Sequence, residues 1–333
     1  MRSDLITVSR MKDFNACRRR HHVKYQLGYR SATTAPALQF GTLVHCGLEA
    51  WWKADLNADR LEAAQAAVVF EASKAEEVDD VTMAKVKVLL AGYHARWIST
   101  MDNFEVLAVE AEFCAPLRNP TTGYPCRDLE VAGKIDVIVR RRDDGRVLFF
   151  EHKTSSEDLS TGSTYWQRLR MDPQVSAYHE GGKALGYTFD GCIYDVLAKF
   201  RETPKKATPM GSRKYTKAGA LYANQRDKDE TIEEFTMRIA DAMAENPEAY
   251  FGRAEVIRTE SELEESMRDI HATALMIRDC ERLDRHPRNP DACHLPGRPC
   301  FLFDACCGCA SLDDEAKFRK VEQVHSELSN ANQ

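Results

Sequence analysis

Leu129–Arg140 reads LEVAGKIDVIVR, Arg141–Arg146 reads RRDDGR, and Val147–Lys153 reads VLFFEHK. Two runs rich in β-branched and aromatic residues flank a charged turn with Asp144-Gly145 at its tip, which predicts a hairpin. Side chains alternate along a strand, so Glu151 and Lys153 share a face, and Asp136 on the neighbouring strand can point the same way. Working outward, Phe104–Phe113 (FEVLAVEAEF) has the same strand character. On the far side Gln167–Leu185 reads as helix and Gly191–Lys199 (GCIYDVLAK) as another strand. Ahead of all these, Gly41–Lys53 (GTLVHCGLEAWWK) sets Leu43, Val44, Leu48 and Trp51 or Trp52 on one helical face, and Leu61–Lys74 and Ala84–Trp97 also read as helices. Helix, three antiparallel strands, helix, strand is the αβββαβ order of an α/β sandwich with a mixed sheet.

Beyond this core, Thr203–Asn224 is rich in Pro, Gly, Lys and Tyr and reads as a long loop or ribbon. Helical segments follow at Thr231–Glu245 and Glu260–Asp284, then a cysteine segment, and the tail Asp313–Gln333 reads as polar and partly helical. The expected divisions are an N-terminal arm and helical region (1–102), a core (103–200), a basic loop (201–226), a helical region (227–289), a cysteine cluster (290–309) and a polar tail (310–333).

With 333 residues, 43% hydrophobic and 29% charged, the chain has the composition of a soluble globular protein with room for a sizeable core. It holds no apolar run of membrane-helix length and no signal-peptide core in MRSDLITVSRMKDF, so it reads as cytoplasmic with no membrane partner. A net charge of −6 does not point to a protein that coats nucleic acid indiscriminately, but phosphate contact is local. Arg18, Arg19, Arg20, Lys24 and Arg30 occur with no acid between them, and Lys199–Lys217 holds seven basic residues against Glu202 alone. Acids gather in Glu76–Asp80 and Asp227–Glu234. A single charge run is ordinarily a solvated face; two basic runs flanking an acidic site point to phosphate.

Asp136 with Glu151-x-Lys153 offers two hard carboxylates that suit Mg²⁺ or Mn²⁺ with water in the open positions, and a lysine that can position hydroxide or balance charge. Three such residues alone are a common strand-end pattern. Four features in order carry more: Gly41-Thr42-x-x-His45, Gly133-x-x-Asp136, Glu151-x-Lys153 and Gln174-x-x-x-Tyr178. With these the chain resembles the RecB-like branch of the PD-(D/E)XK nuclease superfamily from Ser9 to Cys306, which implies a restriction-endonuclease-like core. The resemblance implies His45, Asp136 and Glu151 as metal ligands, with the backbone carbonyl of His152 as a further one. It implies Lys153 as the catalytic lysine, and Gln174 and Tyr178 as residues that hold the site or the DNA. Gln174 and Tyr178 lie one helical turn apart. Glu49 shares the His45 face and is a candidate partner behind it; Glu110 is a weaker candidate and reads first as an outward-facing strand glutamate.

Five of the eleven cysteines crowd into Cys293–Cys309, which in a reducing compartment points to metal rather than disulfides. Cys17, Cys293, Cys300 and Cys306 resemble the set in iron–sulfur nucleases of the RecB-like group, including AddB-type subunits, CRISPR adaptation nucleases and phage exonucleases. That implies a [4Fe–4S] cluster stapling the N-terminal arm to the C-terminal segment. Zn²⁺ is the alternative, and Cys307 and Cys309 leave the identity of the last ligand open. Cys46, Cys114, Cys126, Cys192 and Cys280 read as small hydrophobes.

The resemblance implies a Mg²⁺/Mn²⁺-dependent deoxyribonuclease, acting at ends or on single strands in recombination, repair or phage replication. The alternatives are a catalytically silent DNA-binding protein and a subunit active only with a helicase or recombinase partner. The chain itself carries no Walker A loop.

Overall fold

Six strands form the central sheet of the computed structural model, which describes residues 4–55, 58–74, 78–295 and 298–328. In chain order the strands used below are β1 (Asp4–Ile6), β2 (Tyr29–Ser31), β3 (Phe104–Arg118), β4 (Pro125–Arg141), β5 (Val147–Ser155), β6 (Gly191–Ala198) and β7 (Phe251–Val256). The helices are α1 (Val8–Ala16), α2 (Arg18–His21), α3 (Pro36–Lys53), α4 (Arg60–Ala72), α5 (Asp80–Trp97), α6 (Thr164–Leu169), α7 (Pro173–Ala184), α8 (Ile232–Glu245) and α9 (Glu260–Arg282). The sheet runs β1-β4-β5-β6-β7, with β3 also paired to β4. Pairs β3–β4, β4–β5 and β6–β7 are antiparallel, whereas β5–β6 and β1–β4 are parallel. This is the mixed α/β sandwich expected from the element order.

Strand alternation builds two cores. Phe149 enters one with Ile135, Ile138, Val175, Ala177 and Tyr178, beneath α1, α7 and α9. Leu148 and Phe150 enter the other with Val44, Trp51, Trp52 and Tyr93, beneath α3, α4, α5 and α8. Glu151 and Lys153 therefore continue the Phe149 face, and His152 continues the Phe150 face.

The feature that positions the site is a fork in the sheet. β5 pairs with β4 only through Val137↔Phe150 to Arg140↔Val147. Beyond that point β5 stays on β6 through Ser155, while β4 takes β1 as a new partner at Leu129–Val131. Between the two arms, Ala132, Gly133, Lys134 and Asp136 face Glu151–Thr154 across a cleft of about 650 Å³.

Four expectations change. The Gln167–Leu185 helix is two helices, α6 and α7, because Pro173 has no N–H to donate and Asp172 instead caps α7, accepting from the Gln174 N–H at 3.0 Å. β1 and β7 went unread: one has three residues, and the other, FGRAEV, mixes Gly and charges. The tail is not partly helical among the described residues; Phe318–Lys320 pairs antiparallel with β2. Finally, Glu110 does not face outward, as described below. Thr203–Asn224 is irregular apart from a short 3-10 turn at Met210–Ser212 and one bridge, Tyr215↔Leu221. Glu76 and Glu77 of the acidic run and Ser329–Gln333 of the tail lie outside the described residues. No helix among the described residues is long and apolar enough to cross a membrane.

Candidate active site

At the fork, where β4 and β5 no longer exchange backbone bonds, the Asp136 carboxylate replaces one of them. Its Oδ2 accepts the His152 backbone N–H at 2.7 Å, and its Oδ1 lies 4.0 Å from His45 Nδ1 on α3. A side chain thereby satisfies a donor that the ladder abandons, and Asp136 is locked beside Glu151. The His45 ring keeps 39% exposure at the cleft mouth. Its pKa is lowered, first by enclosure and then by His152, which favours the neutral imidazole that can act as a ligand.

Glu151 is 4% exposed. Its Oε1 accepts from Lys153 Nζ at 2.5 Å and from Gln174 Nε2 at 2.8 Å, while Oε2 is buried with no hydrogen-bond partner. Burial is the main reason its pKa rises to about 7; Lys153 opposes the rise and Asp136 adds to it. Burial works against the Lys153 ammonium too, but the Glu151 carboxylate outweighs it and holds that pKa above the ordinary lysine value.

Gln174 is the hub. Its Oε1 accepts from Lys153 at 2.7 Å, and its Nε2 donates to Glu151 and, at 2.8 Å, to Tyr178 Oη. Tyr178 Oη in turn donates to the Lys134 carbonyl at 2.6 Å. One helix therefore ties both arms of the fork, β5 through Gln174 and β4 through Tyr178. The close approach depends on Gly133, where a Cβ would stand 2.9 Å from the Phe113 ring and 3.1 Å from the Tyr178 ring.

His152 turns its ring the other way, 3% exposed among Trp52, Tyr93 and Phe150, leaving its backbone to the cleft. Neither ring nitrogen has a hydrogen-bond partner, although Nδ1 lies 3.4 Å from Asp195 Oδ2. Burial works to lower the His152 pKa, and the Asp195 charge more than reverses this. Asp195 receives Arg253 Nε and Nη2, each at 3.0 Å, and Tyr93 Oη at 2.6 Å. Burial would raise the Asp195 pKa, but Arg253 holds it well below the carboxylate range. This buried network braces the back of β5, and no local pattern in the sequence signalled it.

The cleft also contains residues that sequence reading placed elsewhere or did not weigh. Glu110 faces inward: it stands between Val109 and Ala111, whose partners are Val137 and Ile135, and so lies across from Asp136. Its carboxylate is paired with Lys134, and both line the cleft. Glu49 lines it as well but is bound to Lys53 at 2.5 Å rather than to His45. Lys199 reaches the rim and donates to the Ala37 carbonyl at 2.9 Å.

The cysteines form a second locus. Cys17 is buried, and Cys293, Cys300 and Cys306 are half-buried. The Cys306 thiol pKa is raised by burial and then by Cys300, Cys17 and Cys293, so the four are electrostatic neighbours. Asn289 Nδ2 to the Ala16 carbonyl (2.9 Å) and Arg19 Nε to the His286 carbonyl (3.1 Å) hold the arm against the C-terminal segment. Cys307 also acts on Cys293, and both Cys307 and Cys309 are exposed. At neither locus do three His, Cys, Asp or Glu side chains among the described residues converge tightly enough to hold a metal as they stand. At the fork, the unpartnered Glu151 Oε2 beside Asp136 is the atom whose environment fits a cation; the cysteines offer thiols, the donor type that a thiolate-bound centre takes.

The family model of the PD-(D/E)XK nuclease superfamily matches residues 5–294. No curated protein matches. Among solved structures, a "Putative exonuclease" from Eubacterium rectale is similar at 12% identity and TM-score 0.46, covering 91% of this chain and 93% of that one. The crystal structure of SSO0001 is similar at 13% identity and TM-score 0.28, covering 71% and 73%. Neither likeness is close enough to add to the family match.

Proposed function

The chain belongs to the PD-(D/E)XK nuclease superfamily, and on that premise we propose that it hydrolyses DNA phosphodiester bonds in the cleft at the β4–β5 fork. The observation that carries this is Glu151 Oε2, a buried carboxylate oxygen without a partner, next to the locked carboxylate of Asp136. A buried polar atom left unpaired is costly, and a divalent cation held here would relieve that cost. Asp136, Glu151 and, from the mouth, His45 would hold Mg²⁺ or Mn²⁺, with the His152 carbonyl as a further ligand. Bound there, such an ion would supply Lewis-acid chemistry, activating a water and offsetting charge on the phosphate.

The chain's own residues supply the rest. Lys153 is aimed by Gln174 and Glu151, which hold its ammonium where it can meet a phosphate oxygen. Gln174 and Tyr178 hold the two arms at fixed separation, which is the preorganisation that hydrolysis needs.

The finer assignments rest on the motif order: a RecB-like nuclease, acting as an exonuclease or on single strands, alone or beside a helicase or recombinase. Cys17, Cys293, Cys300 and Cys306 are the proposed ligands of a [4Fe–4S] cluster, supported by their order in the sequence and by the hydrogen bonds that hold the Cys17 arm against the C-terminal segment, with Zn²⁺ as the alternative.

The test is cleavage of end-labelled single- and double-stranded DNA with Mn²⁺, with Mg²⁺ and in excess EDTA, for wild type, Glu151→Gln and Lys153→Met. Cleavage with either ion, none in EDTA, and a loss of at least about 100-fold in each variant is expected. Full activity in EDTA would overturn the two-carboxylate reading. DNA binding without cleavage in any condition would point to a silent or partner-dependent protein.

A further inference from the structure

Lys153 is the lysine that the motif order singles out, yet the cleft holds another whose surroundings are as constrained. Lys134 lies two residues before Asp136 on β4, and its backbone carbonyl receives the Tyr178 hydroxyl at 2.6 Å. Through Tyr178, Gln174 and Lys153 it is tied to the same hydrogen-bonded chain as Glu151. Its ammonium is paired with Glu110 across the β3–β4 ladder, with the Lys134 side chain 30% and the Glu110 side chain 14% exposed. Both line the cleft.

Glu110 has an unusual backbone. Its φ is +55°, the left-handed region, in a strand residue that is not glycine. That conformation is disfavoured for a residue with a Cβ and is maintained only where surrounding structure imposes it. The ladder on either side is regular, Val109 with Val137 and Ala111 with Ile135. The twist is confined to the one residue whose carboxylate meets Lys134.

We propose that Lys134 is a phosphate-binding residue of the cleft and that Glu110 is its positioning residue, holding the ammonium beside Asp136 until a substrate phosphate takes it. This rests on the reading of the cleft as the site that cuts DNA. Two anions close together disfavour each other, and Glu110 lies across the ladder from Asp136. The lysine ammonium offsets that repulsion in the free protein, and the ion pair holds it in the cleft, oriented for the phosphate. When DNA enters, the ammonium is shared with a phosphate oxygen; no covalent bond changes.

The experiment measures binding of a labelled single-stranded oligonucleotide in Ca²⁺ across a range of salt, for wild type, Lys134→Met, Lys134→Arg, Glu110→Gln and the double variant Lys134→Met/Glu110→Gln. Melting temperatures verify folding. Loss of one phosphate contact should lower the slope of log affinity against log salt by about 0.7. That loss is expected in Lys134→Met and equally in the double variant, which leaves no bare Glu110 to repel DNA. Lys134→Arg should restore the slope. Glu110→Gln should lower the single-turnover cleavage rate in Mn²⁺ several-fold in the wild-type background and have no effect when Lys134 is already Met, the signature of a residue acting through another. An unchanged slope in the folded double variant overturns the proposal while wild-type cleavage stands. Equal, additive effects of Glu110→Gln in both backgrounds would overturn the positioning role. A wild-type protein that neither binds nor cuts DNA would overturn the nuclease reading together with this one.

Discussion

The Asp136 carboxylate accepts the backbone N–H of His152 at 2.7 Å, at the first position where β4 and β5 cease to pair. An aspartate that closes a broken ladder cannot swing away, so its second oxygen is held where the cleft begins. Asp136→Asn keeps the shape but halves the charge available to a cation. Mn²⁺ affinity, read by calorimetry, should fall at least about tenfold, with the fold intact by circular dichroism. Unchanged affinity would remove Asp136 from the ligand set.

Glu151 sets a pH dependence. Its pKa in the folded, metal-free protein is about 7 against an ordinary 4.5, because burial disfavours the charged form. The folded state thus binds more protons than the unfolded one between these values, and this group's contribution to stability falls as pH rises through that window. It is unaffected below about 4.5 and fully destabilising above about 7. In EDTA, Glu151→Gln should therefore melt higher than wild type at pH 8 and no higher at pH 4.5, with an upper bound on the order of 3 kcal/mol at pH 8. Saturating Mn²⁺ should abolish or reverse the gain. A variant that melts at the wild-type temperature throughout would contradict the buried-charge account.

Gln174→Leu removes the hub that serves Lys153, Glu151 and Tyr178 at once. A lost hydrogen bond costs about 1 kcal/mol of stability when its partners stay solvated, and more when they are buried. Cleavage should fall by about 10–100-fold through kcat rather than KM, since Gln174 aims catalytic groups instead of holding DNA. A change confined to KM would reassign it to substrate binding.

The cysteine locus predicts a colour. Anaerobically purified protein should be brown with about four irons per chain if the four thiolates hold a [4Fe–4S] centre. Colourless protein with stoichiometric zinc would select the alternative. Cys17→Ser should lower both metal content and melting temperature, because Cys17 sits on the arm that Asn289 and Arg19 fasten to the C-terminal segment.

The basic loop separates into paired and unpaired charges. Lys206 is bound to Asp229 at 3.0 Å, and Arg213 donates to the Thr208 and Asp227 carbonyls. Lys214 and Lys217 flank exposed Tyr215, and none of their side-chain ammonium groups has a partner among the described residues. Lys214→Ala with Lys217→Ala should weaken single-strand binding and reduce its salt slope by roughly 1.4, at about 0.7 per contact. Lys206→Ala should leave the slope nearly unchanged. The reverse pattern would place the DNA path elsewhere, such as along Arg18–Arg30.

Sequence periodicity was sufficient wherever a relationship is local. Alternation put Glu151 and Lys153 on one face, a helical turn put Gln174 next to Tyr178, and Asp144-Gly145 marked the β4–β5 turn. The order of strands and helices, and with it the mixed α/β sandwich, follows from the same short-range signals. Pairing register lies outside such windows. Glu110 read as a solvent-facing strand residue because nothing within a few positions reveals that β3 lays it opposite Asp136 with a left-handed backbone. The Asp195–Arg253–Tyr93 brace joins β6, β7 and α5, and the Phe318–Lys320 strand pairs with β2, nearly three hundred residues earlier. The fork itself is tertiary: β4 leaves β5 because β1, from the start of the chain, supplies new backbone partners, and Tyr178 from α7 holds the arm that has moved. Local chemistry chose the residues, and long-range hydrogen bonding decided that they face one another.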